Sequence, residues 1–422
     1  MMQGGDASDT QDLSHIPIAG REAIYMQIQQ HMMDTTARHA LAYIGYHGAG
    51  KTALLRQLPM YVDLAIISVF LPLSDLVLDD EEALLTRFVI RTTQVLSQYD
   101  YSMSRIPALS DDEDEDAIPM REWLRDDYLP EVMHVIRGQR RLLWLLDDFN
   151  LLLDAIEKGD MPKDFVSYLH SLMMTQPQLG IVVTAHTDDE ARLLALEPFL
   201  KTSAIHRLQA LPLDASIMML KEAAPYFSEK DLTRLHQATG GHPLWLAHAT
   251  TELDATSSIS EIIDRVFGLA SADIAKIWSD LQPNEQYILQ ALAELHYQNP
   301  LADVTLDDVT RWVINSDVNM DSTDIYSALR SLEFREIIST SDSKIAFRAE
   351  LVRRWLLMNQ GNQVQRQRVS KQASNGSAPA MNGRLIVALV VIAIVALVVL
   401  WLLSQAPGIA GGGLVPTVTF SG

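Results

Sequence analysis

Ala40-Leu41-Ala42-Tyr43-Ile44-Gly45-Tyr46-His47-Gly48-Ala49-Gly50-Lys51-Thr52 opens on an apolar run and closes on Gly-Lys-Thr. Its last eight residues match G-x-x-x-x-G-K-[ST] in full. A phosphate chain needs many N–H donors converging on it, and glycines let a backbone wrap that closely. The apolar run predicts a strand feeding the loop. Ala53-Leu54-Leu55-Arg56-Gln57-Leu58 predicts a helix leaving it, starting near Lys51 with free N–H groups and a positive dipole end. Strand, loop and helix are the setting this motif requires. On this reading Gly45, His47, Gly48, Ala49, Gly50 and Ala53 follow the phosphates. Lys51 reaches the β- and γ-phosphates, and Thr52 offers its hydroxyl to Mg²⁺.

Other strand candidates are 65–71, 141–147, 181–185 and 204–208, short apolar runs such as strands buried on both faces should be. Strand and helix patterns alternate, which predicts an α/β fold with a parallel sheet covered by helices. Leu142-Leu143-Trp144-Leu145-Leu146-Asp147-Asp148 ends in two acids. Asp147 is placed to hold Mg²⁺ through water, and Asp148 to act as general base on the attacking water. A solvated turn is the plainer reading of such a pair. At the end of the next strand, Thr184 would meet water or the γ-phosphate, and His186 would sense that phosphate if protonated; turn capping stays open for both.

With these residues in view, the chain resembles the STAND branch of the AAA+ ATPases, related to Cdc6/Orc. Ile16-Pro17-Ile18-Ala19-Gly20-Arg21-Glu22 is similar to the family's Gly-Arg box, which implies that Gly20 and Arg21 lie near the adenine. The phosphate loop and the Asp147-Asp148 pair match too. Gly240-Gly241-His242-Pro243-Leu244 resembles the lid motif, which implies that His242 and Pro243 close over the base. The resemblance implies a nucleotide-binding domain over 16–212, a helical lid over 213–270 and a winged helix over 271–359, packed on the nucleotide domain in the closed state. It also implies ATP or ADP with Mg²⁺. The family pattern often has Asp where this chain has Asn150, and Arg where it has His186. Histidine is mostly neutral near pH 7, so slow turnover is expected.

Leu385–Leu403 is 19 uncharged apolar residues, about 28 Å as a helix. A polar linker (360–384) precedes it and a Gly-rich tail (404–422) follows. Arg366, Arg368, Lys371 and Arg384 lie on one side and no charge on the other, which predicts a single membrane span with the N-terminal part cytoplasmic.

Composition narrows the function. The chain has no cysteine, which excludes disulfides and thiol chemistry. Residues 1–15 lack the regions of a signal peptide and read as a disordered lead. Net charge is −21. Residues 271–360 hold 8 Lys/Arg against 14 Asp/Glu, so the winged-helix region lacks the basic face that nucleic acid needs. Ser110–Asp116 carries six acids and reads as a solvated loop. The expected function is a membrane-anchored, nucleotide-dependent switch that slowly hydrolyses ATP and controls conformation or self-association. A non-hydrolysing membrane adaptor is the alternative, and a DNA-binding Cdc6/Orc-like ATPase is disfavoured by charge.

Overall fold

The computed structural model describes residues 13, 16 and 19–359, apart from 35, 100, 110–117, 139, 299–302 and 317–319. Strand β1 (Ala40–Gly45) is buried throughout. Ala40, Ala42 and Ile44 enter one hydrophobic cluster, and Leu41 and Tyr43 enter another. Successive side chains of a strand leave on opposite faces, so this strand lies between two helical layers. β2 (Ile66–Pro72), β3 (Arg141–Asp147), β4 (Leu179–His186) and β5 (Leu200–Arg207) complete a sheet of order β2-β3-β4-β1-β5. Every pairing in it is parallel. β3 splits as β1 does: Leu142, Trp144 and Leu146 belong to the cluster that holds Phe88 and Phe149, whereas Leu143 and Leu145 belong to the one that holds Ile28 and Leu54. The one polar atom of Trp144 is satisfied, since Nε1 donates to Thr92 Oγ1 at 3.1 Å.

Parallel pairing brings the strand C-termini to one edge. Gly45 is level with His186, and Pro72 with Asp147. The chain leaves β1 for β2 across two intervening strands, and the crevice beyond such a switch in strand order is where open parallel sheets bind ligands.

Helices Leu213–Ala223, Glu229–Thr239, Pro243–Glu252 and Ile259–Ser279 follow the sheet. Ser228 caps the second of these, and Ser258 forms a reciprocal capping pair with Glu261 on the last. Next comes a unit of helices Pro283–Gln298, Leu306–Asn315, Ser322–Phe334 and Glu350–Asn359. It includes an antiparallel sheet of order β6-β8-β7, made of β6 (Val304–Thr305), β7 (Ile338–Ser341) and β8 (Lys344–Phe347). Arg354 of its final helix pairs with Asp264 at 2.5 Å and stacks over Phe267, fastening the unit to helix Ile259–Ser279.

Among the described residues no helix is long and apolar enough to cross a membrane. The expected span at 385–403, its linker and tail, the acidic run 110–116 and residues 1–12 lie outside the described residues.

Candidate nucleotide site

The phosphate loop leaves β1 at Gly45 and enters helix Lys51–Tyr61. Gly48 and Gly50 hold φ of +77° and +85°, a backbone region that side chains rarely adopt. Lys51 Nζ donates to the carbonyls of Gly45 (3.0 Å) and Tyr46 (3.1 Å), so its ammonium is held inside the loop. Burial lowers its pKa, opposed by Asp148 and Asp147. Thr52 and Ala53 follow in the first helical turn.

Asp147 ends β3 and is 2% exposed. Asp148 sits in the left-handed region (φ 56°) directly before helix Phe149–Lys158, with no side-chain bond to that helix's end. Its pKa is raised, first by burial and then by Asp147. Two carboxylates side by side with one ammonium near them, Lys51, leave a site short of positive charge. Such a donor set suits Mg²⁺, with Asp147 and the Thr52 hydroxyl as protein oxygens and water or phosphate completing the shell.

Thr184, expected to meet water or the γ-phosphate or to cap a turn, bonds within the protein. It is fully buried beside the acid pair; its hydroxyl donates to Asp147 Oδ1 at 2.5 Å and accepts the Asp148 N–H at 3.1 Å. That hydroxyl's single proton serves Asp147, so Thr184 braces the acids and has none left to give a phosphate. His186, at the end of β4, lies 3.6 Å from Asp188. Asp188 also pairs with Arg335 at 3.2 Å, and Arg335 reaches Glu285 at 3.8 Å. The residue expected to sense phosphate is therefore joined through a carboxylate to the C-terminal unit. His186 and then Arg335 hold the Asp188 carboxyl below the usual range, against the opposing effect of burial.

Arg21, which the resemblance places near the adenine, bonds backbone carbonyls. Its guanidinium is buried and donates from Nη2 to the carbonyls of Gln209 (2.6 Å) and Ala49 (3.4 Å). It ties the phosphate loop to the chain leaving β5. Gly20 passes close by Ala215, where a Cβ would come to 2.6 Å. Gln57 Nε2 donates to the Ile16 carbonyl at 2.7 Å and so anchors the segment that precedes Gly20; Pro17 and Ile18 lie outside the described residues.

Helix Pro243–Glu252 starts directly on the loop. Pro243 occupies its first turn, where a missing N–H is harmless. His242 Nε2 donates to the His47 carbonyl at 3.1 Å, and Leu244 N–H donates to the Gly48 carbonyl at 3.2 Å. A Cβ on Gly48 would come to 2.5 Å from the His242 ring, so glycine permits this approach as well as the backbone angle. Burial pushes the His242 pKa down to about 3. His47, partly exposed, pairs with Asp273 at 3.4 Å.

The sequence reading passed over Glu336. This residue, at φ 58°, accepts the Ala210 N–H at 2.6 Å and pairs with Arg348 at 3.5 Å. The C-terminal unit thereby touches the chain at the exit of β5. Burial and then Glu336 raise the Tyr46 pKa. Only a positive φ marks Glu336 locally, and no sequence pattern announces that.

The α/β architecture, with its five-stranded parallel sheet, is similar in fold to solved Walker-type and ORC structures. The Walker-type ATPase PABY2304 of Pyrococcus abyssi is 15% identical with a TM-score of 0.57, over 80% of this chain and 95% of that one. The ORC2 protein of Aeropyrum pernix, solved as ADPNP–ADP complexes, is 13% identical with a TM-score of 0.55, over 86% and 99%. At these identities the likeness is one of fold. No family model and no curated protein matches the sequence.

Proposed function

We propose that the protein is a nucleotide-dependent switch that binds ATP or ADP with Mg²⁺ and hydrolyses ATP slowly. The observation that carries this is the grip on the phosphate loop. The lid, over 213–270, bonds the carbonyls of His47 and Gly48, while Glu336 of the winged helix bonds the Ala210 N–H at the exit of β5. A ligand on that loop biases how lid and winged helix sit, which is what a switch needs. ADP would favour the closed arrangement, and ATP an open, self-associating one.

Mg²⁺, held by Thr52 and Asp147, would neutralise charge developing on the phosphates. Lys51 would bind the β- and γ-phosphates. Asp148, with its raised pKa, would take a proton from the attacking water. The brace on Thr184 and the pairing of His186 with Asp188 remove two groups that would otherwise steady the γ-phosphate. These contacts favour the second reading, a non-hydrolysing adaptor. Single-turnover phosphate release by the wild type, Lys51→Ala and Asp148→Ala separates the two. Equal background rates in all three would sink hydrolysis.

We further propose that residues 385–403 anchor this switch in a membrane, with the nucleotide domain cytoplasmic. The positive flank and the uncharged tail support that orientation. Protease added outside intact cells should spare residues 1–359. The acidic surface of the winged helix argues against nucleic acid as a partner.

A further inference from the structure

Five large apolar side chains stand out to solvent from two neighbouring helices of the nucleotide domain. Helix Glu22–Met33 presents Met26 (59% exposed) and Met33 (41%). The end of helix Lys51–Tyr61 and the turn after it present Met60 (66%), Tyr61 (44%) and Leu64 (81%). The two helices lie side by side there: the Tyr61 ring stacks on the buried Tyr25 with centroids 4.5 Å apart, and the Asp63 N–H donates to Gln29 Oε1 at 2.9 Å. Met26 and Met33 are two turns apart on one side of their helix. Lys51 and Thr52 occupy the other end of their own helix, about 15 Å along its axis, so the face is separate from the phosphate and Mg²⁺ centre.

Area and composition mark the face as an interface. At roughly 200 Å² for a large side chain, these exposures leave on the order of 600 Å² of largely apolar surface, the upper end for a monomer. Methionine and tyrosine are enriched at interface centres, and charged residues are depleted there.

Charge identifies the partner. The chain carries −21, so two copies oppose one another unless they meet on a face without acids. Residues 24–33 and 57–62 hold no Asp, Glu, Lys or Arg. The acids at the margin are engaged locally: Glu22 accepts from the Gly20 N–H, Asp34 from Thr36, and Asp63 from the Ala65 N–H. His31 turns to the His39 carbonyl at 2.8 Å. Two copies joined here would bury on the order of 1,200 Å², enough for a specific interface. Identical surfaces meet about a two-fold axis. With that axis near Gln30, antiparallel helices set Met26 of one copy against Met33 of the second, so the face complements itself.

We propose that this face is a two-fold interface and that its partner is a second copy of the same chain. It is built wholly from the nucleotide domain, so the pairing forms without nucleotide and is distinct from the ATP-favoured association of the switch.

The test is light scattering over a concentration series of the full-length protein in neutral detergent, with the mass of the micelle subtracted. A dimer whose share rises with concentration is expected in the absence of nucleotide. Leu64→Glu and Met26→Glu each put a carboxylate where water is excluded and should weaken the dimer about tenfold or more. Thermal midpoints check that both variants fold. The chain has no cysteine, so Gln30→Cys supplies its one thiol. Mild oxidation should link it to its own copy across the axis, whereas Gln237→Cys, exposed on helix Glu229–Thr239, should stay unlinked. A monomer at every concentration, a dimer indifferent to both charged variants, equal linking of the two cysteine variants, or association only with ATP or ADP present would each overturn the interface. If the charged variants unfold, the cysteine pair decides. Failure of nucleotide to bind would count against the switch alone, since the dimer is read without nucleotide.

Discussion

Thr184 holds Asp147 by a 2.5 Å hydrogen bond while its oxygen accepts the backbone N–H of Asp148, so one hydroxyl fixes both acids. Thr184→Val keeps the shape and removes both partners. It should raise the Mg²⁺ concentration needed for nucleotide binding about tenfold and cost about 1–3 kcal/mol of stability. Thr184→Ser should restore most of both. Mg²⁺ titrations and denaturant unfolding check this, and a Val variant with normal Mg²⁺ dependence would refute the brace.

Glu336 joins Ala210 and Arg348. Glu336→Ala leaves those groups unpaired in a crowded setting, at a cost of about 1–3 kcal/mol to the closed arrangement. ADP should dissociate about tenfold faster or more, measured by chasing a fluorescent analogue. Arg335→Ala, which frees Asp188 and Glu285, should act in the same direction. Unchanged release in both variants would uncouple the winged helix from the loop.

Gly241 holds φ +72°, accepts the Leu211 N–H at 2.8 Å, and has no room for a side chain against the Leu211 carbonyl. Gly241→Ala combines backbone strain with overlap and should destabilise by about 1–3 kcal/mol. Thermal unfolding monitored by circular dichroism reads this as a lower midpoint.

His242 gives a pH signature. Its folded pKa, about 3, lies below the unfolded value near 6.5, so between these values the unfolded chain binds more protons. Stability from this group is complete above about pH 6.5 and is lost as pH falls toward 3. At pH 5 the loss is about 2 kcal/mol. His39 and other buried histidines shift in the same direction, so the test is the difference between wild type and His242→Gln. Parallel pH profiles would contradict the burial assigned to His242.

How much was legible follows from where the constraint acts. β1 and β3 run where their apolar patterns end, because both faces are buried and every position must be apolar. β5 begins at Leu200, earlier than the expected 204, because Lys201, Thr202 and Ser203 are exposed and carry no apolar signal. Two-residue β6 is too short to show a period. The loop lysine and the acid pair were readable because phosphate chemistry dictates their types and spacing. Bonds such as Glu336 to Ala210 join residues 126 apart and depend on tertiary packing. Which partner Thr184 and Arg21 meet is decided by neighbouring strands and loops, which the sequence pattern does not show.

The His47 carbonyl that receives His242 belongs to the same peptide unit as the Gly48 N–H. A peptide whose oxygen already accepts a bond is polarised, and its N–H becomes a stronger donor. In a loop of this kind that N–H turns toward phosphate. Lid and anion would then meet at opposite ends of one dipole, each sharpening the other's hold without a further side chain taking part.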